Sequence, residues 1–194
     1  MSQGIMPMFS DETDEACKGL TIAINEIKKC IVEEQISRKC ADYIMEICSY
    51  WTGNTYVGIK KEKKLQKKFQ IFFENLMELI IALKNSNKLS LENKENINSL
   101  LYQGPIYRYL GHGIICDIKK PIKLQYSNLY VSWSKYPRND YLDSKLYGKK
   151  LWIHGTICNS YYGIDLEKLG VSRGEEAEVV FPTIKDCIVE VKNL

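Results

Sequence analysis

Apolar residues in the first half of the chain recur at three- and four-residue steps. In "EACKGLTIAINEIKKCIVEE", Leu20, Ile24, Ile27 and Ile31 fall on one stripe of a 3.6-residue helix. "ISRKCADYIMEICSYW" repeats the period with Ile36, Cys40, Ile44 and Ile47. "LQKKFQIFFENLMELIIALK" repeats it again with Leu65, Phe69, Phe72, Leu76, Leu79 and Leu83. "SLENKENINSLL" reads as a last, short helix with Ser90 as its N-cap, because a serine hydroxyl can accept an otherwise orphaned backbone N–H there.

From Gly104 onward the pattern changes. "PIYRYL", "GIICDI", "IKLQYSNLYVSWS", "KLWIHGTI", "AEVVF" and "CIVEV" are short and rich in β-branched and aromatic residues, with Gly, Pro, Asn and Asp between them. No internal repeat or low-complexity tract interrupts the series. The expected architecture is α+β, a helical N-terminal lobe followed by a mostly antiparallel β-sheet core. The pattern predicts one compact domain over 12–194, with a helical lobe over 12–103, a β-rich core over 104–194 and a flexible N-terminus over 1–11.

Composition narrows the function classes. Apolar residues make up 45% of the 194 positions and aromatic residues 11%, which suits a folded protein and not a disordered one. Lys and Arg number 27 against 24 acidic residues, a net charge of +3, so the concentrated basic footprint of a nucleic-acid binder is not expected. The one basic run, "KKEKKLQKK" from Lys60 to Lys68, reads first as the solvated face of a helix whose other face carries Leu65 and Phe69. Its alternative is a surface for RNA, anionic lipid or an acidic protein.

No segment approaches the roughly 18 apolar residues of a membrane span. The opening "MSQGIMPMFSDETDEACKG" has neither a basic nor an apolar region of the secretory kind. The expected localisation is therefore cytoplasmic, or export or injection by a specialised route. The seven cysteines are scattered without CxxC spacing, and His112 and His154 lie far from metal-ligand spacing, so no metal is expected. An odd cysteine count in a chain this large points to reduced thiols, mostly small core residues, and the expected state is a monomer.

Three separated stretches carry the candidate chemistry. "IYRYLGHG" sets Arg108 in a short strand. "LYVSWS" sets Ser132 and Ser134 two apart, on one side of another strand. "GEEAEVVFPT" sets Glu176 and Glu178 two apart at the start of an apolar strand, with Glu175 beside them. Each has an ordinary explanation as an exposed strand face or a chance spacing.

Taken in this order, Tyr107-Arg108, "YVSWS" (Tyr130 to Ser134) and "EAEVVFP" (Glu176 to Pro182) resemble the Arg-Ser-Glu class of mono-ADP-ribosyltransferases, which includes cholera-toxin-like and clostridial enzymes. "SYWTGNTYVGIKK" (Ser49 to Lys61) is similar to the helix-loop-helix segment that precedes the catalytic core in the clostridial members. "LWIHGTICNSYYGIDL" is similar to the strand and turn leading toward their Glu-x-Glu loop. The resemblance covers about Cys48 to Leu194. Trp133 stands where the family usually carries threonine, Tyr109 where a small residue is common, and the Arg108-to-Ser132 gap is shorter than usual.

The resemblance implies a split, mostly antiparallel sheet of ADP-ribosyltransferase type, and NAD as a substrate cleaved without a metal. It assigns Glu178 to the oxocarbenium-like ribose and its 2′-hydroxyl, and Glu176 to orienting and deprotonating an acceptor. A guanidinium acceptor pairs with such a carboxylate fork to fork, so arginine is the first choice. Arg108 is assigned to the NAD pyrophosphate, Ser132 to fixing Glu178, and Ser134 to supporting its strand. Tyr109 and Arg138 complete the implied NAD-binding set, Arg138 (or Tyr141) lying in "SKYPRNDYLDSKLYGKK", whose other reading is a polar surface loop. The implied partners are NAD and an acceptor protein, which for a toxin or effector is a host protein. Two alternatives stand beside this reading: an NAD glycohydrolase using the same site, and a non-catalytic interaction module of the same fold.

Overall fold

The computed structural model describes residues 13–52, 62–110, 122–124, 131–136, 151–156, 162–171, 177–182 and 187–193. The chain is α+β and divides into two compact units, Met1–Asn98 and Ser99–Leu194. The boundary falls shortly before Gly104, where the sequence pattern changes.

The first unit holds α1 (Thr13–Glu33), α2 (Arg38–Thr52), α3 (Lys63–Asn85) and α4 (Leu91–Asn98). The predicted stripes are its core. Leu20, Ile24 and Ile27 of α1, Cys40, Ile44 and Ile47 of α2, and all six stripe residues of α3 are buried. Ile31 is only half-buried. Ile36 departs from expectation: it is 45% exposed and precedes α2, whose cap is Ser37. The Ser37 hydroxyl accepts the Cys40 N–H at 3.1 Å and its carbonyl accepts the Ala41 N–H at 3.0 Å, which starts the helix one residue too late to turn Ile36 inward.

Aromatic rings dominate the packing. Trp51 lies 5.3 Å from Phe69 and 5.4 Å edge-on to Phe73, and Phe72 meets Phe73 at 5.2 Å. Burying each phenylalanine contributes about 1.5–3 kcal/mol before any ring-geometry bonus. The lysine run takes the solvated reading over its described part. Lys63, Lys64 and Lys67 are exposed while Leu65 and Phe69 point inward, and the Lys68 ammonium reaches back to donate to Thr21 Oγ1 on α1 at 2.8 Å. Ser90 caps α4 as predicted, accepting the Asn93 N–H at 3.3 Å.

α1 ends in a left-handed residue that is not glycine. Glu34 has φ 51°, Gln35 N–H donates to Cys30 O, and Glu34 N–H donates to Ile31 O, the paired bonds of a Schellman motif. The Glu34 carboxylate then accepts the Ser86 hydroxyl at 2.9 Å, tying the end of α1 to the end of α3.

The second unit is an antiparallel sheet. Its strands are β1 (Leu101–Tyr102), β2 (Pro105–Leu110), β3 (Ile122–Leu124), β4 (Val131–Ser134), β5 (Leu151–Thr156), β6 (Gly163–Asp165), β7 (Glu178–Phe181) and β8 (Cys187–Asn193). Their order is β1-β6-β7-β4-β2-β5-β8-β3. Among the described residues, β2 and β4 share a single pair, Tyr107 with Ser134, so two four-stranded halves meet at a narrow seam.

Ile106, Trp133, Ile164, Leu166, Val171, Ala177, Val179, Val180 and Phe181 form the described core. Gly163 on β6 is required by close approach: a Cβ there would meet Phe181 Cζ at 2.6 Å and overlap the Val179 side chain. β6 runs into a single helical turn closed by Gly170 at φ 86°, with Val171 N–H on Leu166 O and Gly170 N–H on Glu167 O.

Candidate functional site

β7 opens with Glu178 and continues as Val179, Val180 and Phe181, all buried. A carboxylate at 9% exposure is unusual, since burying an ionised group is costly unless its surroundings compensate. Two backbone bonds fix the chain around it. Lys135 N–H donates to Ala177 O at 3.0 Å, and Leu166 N–H donates to Glu178 O at 2.9 Å. Ala177, fully buried, is held at φ 40°, a left-handed conformation that costs an L-residue about 1–2 kcal/mol.

The pairing register places the other candidates. Glu178 lies opposite Ser134, and Ser134 opposite Tyr107, so the three form one row across β7, β4 and β2 on one face. Ser132 pairs with Val180 and is diagonal to Glu178 on that same face. The Ser134 hydroxyl donates to Tyr136 O at 2.7 Å and accepts the Tyr136 N–H at 3.3 Å, which finishes β4. Trp133, between the two serines, pairs with Val179 and is buried on the opposite face. Its indole therefore lies outside the row that holds Glu178.

Arg108 is not in that row. It pairs with Ile153 on β5, one step beyond Tyr107, and strand alternation assigns position 108 to the face opposite Glu178. Tyr109, paired with Trp152, shares the Glu178 face by the same alternation. Glu175, Glu176, Arg138, Tyr141 and His112 lie outside the described residues.

A charged cluster that sequence reasoning missed sits beside this row. Lys135, directly after Ser134, is buried at 7% side-chain exposure, and its ammonium donates to Asp165 Oδ2 at 2.9 Å and to a Glu167 carboxylate oxygen. Asp165 Oδ1 accepts the Lys168 N–H at 3.0 Å, capping the turn after β6. The rings of Tyr102 and Tyr136 lie 5.9 and 6.0 Å from the ammonium. Burial by itself pushes the Lys135 pKa down, but the hydrogen bonds to Glu167 and Asp165 and their charges outweigh it and hold the pKa above its usual value. The available signal was "GIDLEKLG": an Asp ahead of a short polar run closed by Leu-Gly reads as a capped turn. Nothing in the spacing announced its distant lysine.

No protein-family model, no curated protein and no solved structure matches the chain. Among the described residues, no group of His, Cys, Asp and Glu could hold a metal ion, and no helix is long and apolar enough to cross a membrane. The chemical resource of the site is a carboxylate fixed in a low-dielectric setting. Such a group stabilises positive charge developing next to it without the reorganisation that water requires.

Proposed function

We propose that the protein is an NAD-dependent mono-ADP-ribosyltransferase that moves ADP-ribose to a protein side chain, arginine first. One observation carries the reading. The strands bearing the Arg, Ser and Glu motifs, far apart in sequence, are consecutive in the sheet as β2, β4 and β7, with Glu178 buried where β7 meets β4.

In this reading the bond between ribose C1′ and the nicotinamide nitrogen breaks, and its electron pair leaves with nicotinamide. Glu178 accepts the ribose 2′-hydroxyl hydrogen bond and stabilises the cationic ribose, so its effect is concentrated in the transition state. An acceptor guanidinium nitrogen bonds to C1′ and gives its proton to Glu176. Ser132 fixes the Glu178 rotamer, and Tyr109 and Arg138 line the cofactor. Arg108 is the demanding member. Its backbone position, one step past the Tyr107–Ser134 pair, is assigned by alternation to the face opposite Glu178.

That register favours the second reading, a non-catalytic interaction module, and the two separate cleanly. The transferase binds NAD in calorimetry, releases nicotinamide and labels a lysate protein with ADP-ribose, all weakened by Glu178→Ala. The module does none of these. If NAD is hydrolysed but nothing is labelled, water is the acceptor. In that case Glu176→Gln leaves hydrolysis intact, whereas it abolishes transfer to arginine in a transferase.

A further inference from the structure

Lys135 and Asp165 make a buried ion pair, joined by the partly exposed Glu167 into a triad that is hard to explain as a stability device. Buried ion pairs recover little beyond their desolvation cost, and apolar replacements of the whole group are often as stable. The placement of the triad is more informative than its charge. Lys135 grips both ways: its side chain holds Asp165 and Glu167, while its backbone N–H holds Ala177 O. Asp165 is saturated, with Oδ2 on Lys135, Oδ1 on the Lys168 N–H, its own N–H on Leu100 O and its carbonyl on the Leu169 N–H. The next residue, Leu166, donates its N–H to Glu178 O.

The two peptide units on either side of Glu178, 177–178 and 178–179, are thus held by Lys135 and by the neighbour of Asp165, two residues that the ion pair ties together. The Ala177–Glu178 junction is also strained, with a buried alanine in left-handed conformation, and such strain persists only where neighbours over-determine it. Asp165 pairs with Val179, the neighbour of Glu178, so alternation puts the triad behind the carboxylate, on the other face. It acts on Glu178 through the backbone.

We infer that Lys135 is a positioning residue: with Asp165 and Glu167 it sets the angle at which β7 presents Glu178 to the ribose. The inference rests on the proposed transferase reading for its consequence, and on backbone geometry alone for its cause.

Lys135→Met by itself strands Asp165 as a buried uncompensated charge and is expected to impair folding. The test therefore uses Lys135→Met combined with Asp165→Asn, which removes both charges and keeps the cap on Lys168 N–H. Two readouts need no activity. The expected results are faster amide hydrogen exchange at Leu166 and at position 135, and a displaced titration of the Glu178 carboxyl followed by carbon NMR, in a protein whose far-UV spectrum is unchanged. With NAD, kcat for nicotinamide release is expected to fall roughly tenfold to a hundredfold while KM holds within about threefold, the pattern of a displaced catalytic group with intact binding. Unchanged exchange and an unchanged Glu178 titration overturn the positioning role, whatever the activity. Altered exchange and titration in a protein whose wild type neither binds nor cleaves NAD support the clamp and overturn the enzyme reading instead.

Discussion

The two units bury different things. Among the described residues of the helical unit the core is Leu, Ile, Phe, Trp, Cys and Ala, and the buried polar residues are Asn75 and Ser86. Both are neutral and hydrogen-bonded, Asn75 Nδ2 to Ile71 O at 2.7 Å and the Ser86 hydroxyl to Glu34 at 2.9 Å. Among the described residues of the sheet unit the buried polar ones are Lys135, Asp165 and Glu178, all ionisable. The strained residues divide the same way. Glu34 takes its left-handed turn at a helix end, whereas Ala177 takes its own inside the core, immediately before the candidate carboxylate. The described part of one unit buries neutral polar groups; that of the other keeps charge where it is expensive. Expensive charge and stored strain gather where a fold is shaped for chemistry.

The difference can be broken or sharpened by substitution. The largest expected effect is on rate: Glu178→Ala lowers nicotinamide release by roughly a hundredfold to a thousandfold, about 2.7–4 kcal/mol of barrier, with the fold kept. Equal rates for the two proteins would remove the reason for burying that carboxylate. Next come two core lesions of comparable size. Phe69→Ala is expected to cost the helical unit about 3–5 kcal/mol by cavity formation, read from denaturant unfolding. Lys135→Met alone is expected to cost the sheet unit a similar amount by leaving a buried charge unpaired, and Lys135→Met with Asp165→Asn to recover most of it. A double variant as unstable as the single one contradicts the ion-pair explanation.

The alkaline limb separates the units by their titrating groups. In the helical unit, burial first, then the hydrogen bond and charge of Cys30, pushes the Cys40 thiol up to about 12 from 9.0. A raised folded pKa means the unfolded chain releases this proton first. The contribution of Cys40 is thus complete below pH 9 and disappears as pH rises toward about 12. Lys135 has a raised pKa too, so its contribution is present below 10.5 and is lost above it. Cys40→Ala is expected to flatten the fall between pH 9 and 10 in denaturant titrations, a range in which Lys135 is still charged. The smallest effect is at the left-handed residues. Glu34→Gly relieves about 1 kcal/mol of backbone strain but gives up the Ser86 hydrogen bond, for a net change under about 1 kcal/mol.

Much of this arrangement was legible in the chain, unevenly. The stripe from Leu65 to Leu83 dictates a helix because every third or fourth residue must find apolar company, and the Ser90 cap follows from local hydrogen bonding alone. Ile36 misleads because Ser37 captures the Cys40 N–H and resets the helix start, a choice that periodicity does not weigh. In the sheet, the placing of Ser132 and Ser134 two apart on one strand could be read because alternation within a strand is local. The relation of Arg108 to them could not, since the face a residue takes depends on cross-strand register, and one step of register reverses it. The Lys135–Asp165 pair spans two strands that only the sheet order brings together. Glu176 and Arg138 lie outside the described residues, and their assignment rests on the motif resemblance.

The most direct test of the account is nicotinamide release from NAD by purified wild-type protein beside Glu178→Ala, with NAD binding measured on both by calorimetry. The account predicts release by the wild type, a loss of at least about a hundredfold in the variant, and NAD affinity changed far less than rate. Absence of both release and binding in folded wild-type protein would contradict it.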